Sequence, residues 1–375
     1  MLDDIMVNNV TIMLLNEISF IMKKTILITA GGTGGHVFPA LSVAEKLKIQ
    51  NLYNIIWVGA TIGIENDIVP KNGFKFERIK ISGLRNKGIL RLLKMPFILL
   101  WAIIESIKII RKHKPMLIVG FGGYATFPLC FAGWLCRCKV IIHEQNAIPG
   151  LSNKILSKFA TNILTAFPDV LASKKSIIVG NPIRDSITKM SLPKERYNVR
   201  EGGLNLLILG GSLGAQALNE VIPSSCDGLI NFKSVLHQVG RGDAKIVQAQ
   251  YDSLGISAEV VSFIDDIAHA YSKADLIICR SGASTVSEIS CAGVAAIFVP
   301  YPYAVDNHQY FNAMPLVKIG GAKIIIQKDL NKENLRQILS KINRHECLQM
   351  AQLAHTLAIS NSADRICKII EHLVT

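Results

Sequence analysis

At 375 residues, half of them hydrophobic and only 18% charged, the chain can bury the cores of two ordinary domains, which excludes a disordered protein. A formal net charge of +13, from 41 Lys and Arg against 28 Asp and Glu, favours anionic partners: nucleic acid, an acidic membrane surface or a phosphorylated substrate. The eight cysteines form no C-x-x-C pair, and runs such as Leu276-Ile277-Ile278-Cys279 fit reduced, structural thiols in a cytosolic protein rather than a zinc site.

Residues 1–22 read as a loosely attached extension, because Met1-Leu2-Asp3-Asp4 lacks the basic start of a secretory signal and Met22-Lys23-Lys24 opens the first strand like a true N-terminus. No apolar run reaches the ~20 residues of a membrane span. The best of them, Met95 to Ile104, is interrupted by Pro96 and bounded by Lys94 and Glu105.

From Lys24 onward, strand-like runs alternate with helix-like stretches. Strands are predicted at 25–30, 55–58, 117–119, 140–143 and 162–164, with helices at 39–49 and 89–112. This alternation predicts βαβ units and a parallel sheet covered on both faces. Gly180-Asn181-Pro182-Ile183-Arg184 then breaks the rhythm, which restarts at Leu206 and continues through 234–238, 259–263, 276–279 and 296–299. The expected organisation is an extension at 1–22, one Rossmann-like domain at 23–182, a second at 183–358, and a C-terminal helix at 359–375 that can pack back on either domain, the first among them.

Glycine-rich turns follow the first strand of each half: Gly31-Gly32-Thr33-Gly34-Gly35-His36, and Gly210-Gly211-Ser212-Leu213-Gly214-Ala215. Glycine lets backbone N–H groups approach a ligand, and the following helix offers its partial positive charge. Dinucleotide binding fails, because Val37 stands where the third glycine is needed and no acidic residue follows Val58. No G-K-[ST] and no D-x-D occur, so the expected site neutralises a diphosphate with helix ends and basic side chains, without a metal. Gly120-Phe121-Gly122-Gly123-Tyr124 and His143-Glu144-Gln145-Asn146 end two further strands on the same carboxyl edge. In the second half, Arg280-Ser281-Gly282-Ala283-Ser284-Thr285-Val286-Ser287-Glu288 reads as strand end, turn and helix start. Its Ser and Thr either cap that helix or meet a ligand, and Glu288 is either a ribose acceptor or a solvated carboxylate.

These motifs, with Asp306-Asn307-His308-Gln309-Tyr310, resemble the MurG family of glycosyltransferases from Lys23 to the C-terminus. That family adds N-acetylglucosamine to the lipid-linked muramyl-pentapeptide precursor of bacterial peptidoglycan. The resemblance implies a GT-B fold, two Rossmann-like, doubly wound parallel-sheet domains facing a cleft that holds UDP-N-acetylglucosamine, with no metal and no cofactor. It implies donor contacts from Thr33, Gly34, Gly35 and Asn146. Arg184 and Ser212 match diphosphate and nucleotide contacts, and Ile264 matches a backbone contact to uracil. Ala283, Ser284, Thr285, Val286, Ser287 and Glu288 would wrap the phosphates and ribose, and Gln309 would touch the sugar. Gly122, Gly123 and Tyr124 fall on the acceptor side. The chain departs from the family at Ala295, where proline is common, and at His308, where glutamine is frequent.

The family inverts at the anomeric carbon, which implies one direct displacement. His36 is the candidate base, since a helix N-terminus disfavours the imidazolium. Binding the acceptor diphosphate and ordering the loop are its competing roles, and Glu144 is the weaker alternative base. The basic, apolar stretch from Arg85 to Lys114 is either a buried helix with a solvated end or a membrane patch. The lipid-linked acceptor favours the patch, with Leu90, Leu93, Phe97 and Trp101 at the anionic cytoplasmic face of the inner membrane and wall-synthesis proteins as partners. The rivals in enzyme class are another GT-B transferase, such as one building glycolipids, and a UDP-sugar epimerase. The pairing of Gly31–His36 with His143–Asn146 argues against both. A nucleic-acid-binding protein would need aromatics interleaved with Lys and Arg, and that signature is missing.

Overall fold

The computed structural model describes residues 23–81, 88–211 and 214–375, with the side chains of 88–93 left aside. The first half contributes β1 (Lys24–Thr29), β2 (Tyr53–Ala60), β3 (Lys75–Ile79), β4 (Leu117–Gly120), β5 (Lys139–Glu144), β6 (Asn162–Thr165) and β7 (Ser176–Ile178). They form one sheet in the order β3-β2-β1-β4-β5-β6-β7. The second half contributes β8 (Leu204–Leu209), β9 (Phe232–Gln238), β10 (Ala258–Val261), β11 (Leu276–Cys279), β12 (Ala295–Phe298) and β13 (Ala322–Ile324), in the order β10-β9-β8-β11-β12-β13. Every described pairing is parallel, with Ile26 opposite both Ile55 and Leu117, and Leu276 opposite both Leu206 and Ala295.

Strands buried on both faces need continuous apolar runs, which is why Ile26-Leu27-Ile28 and Leu206-Leu207-Ile208 read as they do. Successive side chains enter opposite cores. Ile26 and Ile28 pack with Val43, Leu47 and Trp57 on one face, whereas Leu27 joins Ile56, Ile118 and Leu129 on the other. In the second domain Leu206 and Ile208 meet Leu218, Ile222 and Leu335, and Leu207 meets Ile277, Ile289 and Phe298.

Both sheets have the doubly wound order, so the winding reverses between β1 and β4 in one domain and between β8 and β11 in the other. Crevices for ligands open at such switch points, beyond the carboxyl ends of the strands. All four flanking loops are glycine-containing motifs: Gly31–Gly35, Gly120–Gly123, Gly210–Gly214 and Gly282.

The C-terminal helix Ser362–Val374 crosses to the first domain. Ala363, Ile366, Cys367, Ile370 and Val374 recur at helical spacing and join the core beneath Val43 and Leu47. Lys24 Nζ donates to the Val374 carbonyl at 2.6 Å and Lys139 Nζ to Leu373 at 2.6 Å, cations placed on the negative end of the helix.

The first helix begins at Gly34, five residues before the predicted Pro39. Two glycines are poor helix formers, and Pro39 mimics a helix start. Here the proline sits inside the helix, so the Gly35 carbonyl lacks its usual i+4 donor. The strands β3, β7 and β13 were not predicted, because each is a short edge or near-edge strand with few consecutive apolar residues.

Candidate functional site

The loop after β1 is built on contact with the loop after β4. Gly31 N donates to the Gly122 carbonyl at 3.2 Å. Gly123 sits at φ +97°, where a Cβ would collide with the Gly31 backbone, so only glycine lets these two loops touch. The His36 ring lies on Gly122, at 3.0–3.1 Å from where a side chain there would begin. Tyr124, half-exposed, covers Gly32.

His36 is the third residue of the helix Gly34–Ile49. Its pKa is pushed down to about 4, first by burial and then by the nearby His308. Burial, with His308, thus acts in the direction of a neutral imidazole. Its Nδ1 is buried without a partner. Thr33 caps this helix by backbone position alone, its carbonyl accepting from His36 N at 3.1 Å and Val37 N at 3.2 Å, with no side-chain cap on the N–H groups of Gly34 and Gly35. Thr33 and Gly35 are exposed, and Gly34 is half-buried.

Glu65, which sequence reasoning missed, lies fully buried beneath the same loop. Its Oε2 accepts from Gly32 N at 3.0 Å, and its carboxylate fills the space that side chains at Gly31 and Gly63 would need. Its polar surroundings in sequence read as a solvated turn, and only the fold buries it.

At the end of β5 every polar side chain is engaged. His143 Nε2 donates to the Gly180 carbonyl at 2.9 Å, and Gln145 Nε2 donates to Phe121 O at 2.6 Å. Glu144 accepts from Asn146 N at 3.0 Å, Asn146 Nδ2 at 3.3 Å, Gly150 N at 3.1 Å and Asn153 Nδ2 at 2.8 Å. Burial raises the Glu144 pKa while those donors oppose the rise. Both oxygens are committed to ordering the Asn146–Asn153 loop, which corrects the assignment of Glu144 as a base.

In the second domain, β11 runs into Arg280-Ser281-Gly282 and the helix Ala283–Ala292. Arg280 is a strut, donating to Val299 O at 3.0 Å and Gln327 Oε1 at 2.7 Å. Helices at Ala244, Lys332 and Arg344 are capped by Asp243, Asn331 and Asn343 side chains, yet Gly282 offers this helix no cap. Neither Ser284 nor Thr285 caps it either, and the hydroxyls of Ser281 and Ser284 are buried without partners. A helix N-terminus left open beside orphaned hydroxyls is suited to an anion. Ala283 and Val286 are buried in the core, and Ser287 Oγ accepts from Asn181 Nδ2 at 3.1 Å, so in this run those side chains serve structure.

Glu288, half-buried, accepts a hydrogen bond from the Tyr271 hydroxyl at 3.0 Å. Burial raises its pKa, opposed by that bond and by Arg184. Tyr271, on the helix Ile267–Lys273, was also missed, since a core tyrosine in a helix carries no signal of its own. The Arg184 guanidinium stacks 5.2 Å over the Phe38 ring and is near enough to Glu288 and Tyr271 to favour their charged forms. It therefore stands between the two domains. Gln309 Oε1 accepts from Tyr301 N at 2.9 Å, at the start of the helix His308–Lys318. Ile264 is half-buried against the second domain's core. Ser212 lies outside the described residues.

The helix Gly88–His113 has two apolar faces. Ala102, Ser106, Ile109 and Ile110 are buried in the domain, while Phe97 (75% exposed), Leu100, Trp101 and Ile104 point outward at helical spacing. Lys94, Lys108, Arg111 and Lys112 are exposed around them. The side chains of Leu90 and Leu93 lie outside the described residues. Among the described residues, no helix is long and apolar enough to cross a membrane.

Comparison with known proteins agrees with the two-domain fold. The Glycosyltransferase family 28 N-terminal domain matches residues 26–165 and the Glycosyltransferase family 28 C-terminal domain residues 205–366. The chain is similar to the UDP-N-acetylglucosamine--N-acetylmuramyl-(pentapeptide) pyrophosphoryl-undecaprenol N-acetylglucosamine transferase of Neisseria meningitidis serogroup C, 45% identical over 92% of this chain and 97% of that one. To the protein of the same name from Dechloromonas aromatica it is 43% identical over 94% of this chain and 99% of that one. Among solved structures it is similar to MurG of Acinetobacter baumannii, with a TM-score of 0.84 and 38% identity over 93% of this chain and 99% of that chain. With both domain signatures in order and relatives matched almost end to end, the chain belongs to glycosyltransferase family 28, in its MurG branch.

Proposed function

We propose that this protein transfers N-acetylglucosamine from UDP-N-acetylglucosamine to the lipid-linked N-acetylmuramyl-pentapeptide, giving the lipid-linked disaccharide of peptidoglycan synthesis. One observation carries the reading: the uncapped N-terminus of the helix Ala283–Ala292 opens at a switch point, with Glu288 a little over a turn in and Arg184 beside it. A nucleoside diphosphate fits that arrangement. Its phosphates would take the free N–H groups of Ala283 to Thr285 and the guanidinium, and its ribose hydroxyls would donate to Glu288.

In the reaction the acceptor hydroxyl loses its proton to His36 and its oxygen bonds to the anomeric carbon. The carbon–oxygen bond to the diphosphate breaks on the opposite face, and the electron pair leaves with UDP. Charge building on the diphosphate is met by the helix N-terminus and Arg184, preorganised donors worth roughly 2.7–4 kcal/mol each when well placed. His36 suits the base role because it is neutral, has a free Nδ1 and sits on the glycine loops of the first domain. Glu144 then acts by shaping the loop that carries Asn146. The first domain serves the acceptor and the second the donor.

The exposed Phe97–Ile104 stripe, with its ring of cations, supports peripheral attachment to the anionic cytoplasmic leaflet, where the lipid acceptor resides. Crystals soaked with UDP test the donor site. Diphosphate density at Gly282–Thr285 with ribose on Glu288 is the expected result, and UDP bound elsewhere overturns the reading.

A further inference from the structure

Two asparagines outside the ligand contacts above are almost wholly buried, Asn312 at 0% and Asn181 at 2% exposure, and each reaches from one domain to the other. Asn312, on the helix His308–Lys318, accepts from Ala147 N at 2.8 Å through Oδ1. Its Nδ2 donates to Asn146 Oδ1 at 3.2 Å and to the Ser281 carbonyl at 3.3 Å. Asn181, in the connection between domains, uses Nδ2 on the Gln145 carbonyl at 3.1 Å, the Ala283 carbonyl at 3.4 Å and Ser287 Oγ at 3.1 Å.

The pattern is a bracket. Asn146 is flanked by Gln145 and Ala147, and Gly282 is flanked by Ser281 and Ala283. One asparagine joins one flank of each loop, and the other asparagine joins the remaining flanks. At Asn312 one short side chain supplies an acceptor and two donors, which hydrophobic or charged replacements cannot reproduce, whereas Asn181 links the loops through its Nδ2 alone and its Oδ1 is buried without a partner. Buried amide bonds of this kind are costly to leave half-made, which makes the register between the loops stiff.

Resting on the donor-site reading above, we infer that Asn312 and Asn181 are positioning residues that set Asn146 of the first domain in register with the phosphate-facing helix N-terminus of the second. The donor sugar would lie between those two loops. Displacing one relative to the other separates the reacting groups without removing any ligand contact, and a shift of about 1 Å can cost about 100-fold in rate.

The test is a double-mutant cycle on transfer kinetics, with UDP affinity by calorimetry and thermal melting as controls. Asn312→Ala is expected to lower kcat by about 10- to 100-fold, leave UDP affinity within about twofold, and add nothing further in an Asn146→Ala background. Asn312→Asp keeps the acceptor for Ala147 and the side-chain shape but loses both donors. It is expected to lower kcat as well, and it stands in if the alanine variant does not fold. Losses that multiply across the cycle, or wild-type turnover by Asn312→Asp, overturn the inference. Failure of the wild-type protein to transfer the sugar or to bind UDP would instead overturn the donor-site reading.

Discussion

The His36 ring lies against the backbone of Gly122, with Nδ1 shielded from water and from any partner. With its pKa lowered to about 4 by burial, the imidazole is deprotonated at neutral pH. Consequently kcat/KM should stay level through pH 6.5, where a free imidazole titrates, and fall only below about pH 5. An inflection near 6.5 would mean that His36 is solvated or is not the base. Replacing it by alanine should lower kcat by about 100-fold or more while UDP affinity barely changes, as the loss of a general base requires. Unchanged turnover would remove His36 from the mechanism. Tyr271→Phe takes away the hydroxyl that fixes Glu288 and should raise the donor KM several-fold with little effect on kcat. Glu288 was visible in the sequence because it follows a glycine turn at helical spacing. Tyr271 and Glu65 were not, since a buried tyrosine in a helix and a carboxylate in a turn look ordinary until the fold brings them to Glu288 and to Gly32.

The glycine loops after β1 and β4 meet backbone to backbone, so Gly123→Ala meets both a left-handed φ and a collision with Gly31. A loss of at least about 2 kcal/mol in denaturant unfolding is expected, and a midpoint equal to the parent would show that the loops need not touch. The helix Gly88–His113 presents Phe97 and Trp101 to solvent on a face opposite its buried Ala102 and Ile109. Phe97→Glu with Trp101→Glu should release the protein from anionic vesicles yet leave turnover of a water-soluble acceptor intact. Binding that survives both changes would return this face to ordinary surface. Strand–helix alternation was legible because central strands such as Ile26–Thr29 are apolar without a break. Edge strands such as Lys75–Ile79 were not, because one side faces water and the sequence there is mostly polar.

At the scale of the whole molecule, two sheets of like winding put four glycine-bearing loops at two facing switch points, and short polar links across the interface set their spacing. The doubly wound fold was readable from the duplicated strand–turn–helix pattern, but the links were not, since Asn181 and Asn312 gain meaning only from partners in the other domain. Buried imidazoles also tie stability to pH. His143 and His237 are held neutral with pKa values near 4, mainly by burial, against 6.5 for an exposed ring. Their contribution is complete above about pH 6.5 and is lost as pH falls toward 4, by up to about 3 kcal/mol each. Unfolding midpoints should drop across that window, and His237→Gln should flatten the drop. The most direct test of the account is transfer of labelled N-acetylglucosamine from its UDP donor to a short-chain lipid-linked muramyl-pentapeptide in the presence of EDTA. Disaccharide formation at an undiminished rate is the predicted result. No transfer to that acceptor, or transfer that EDTA abolishes, would contradict a site in which helix N-termini and Arg184 alone neutralise the departing diphosphate.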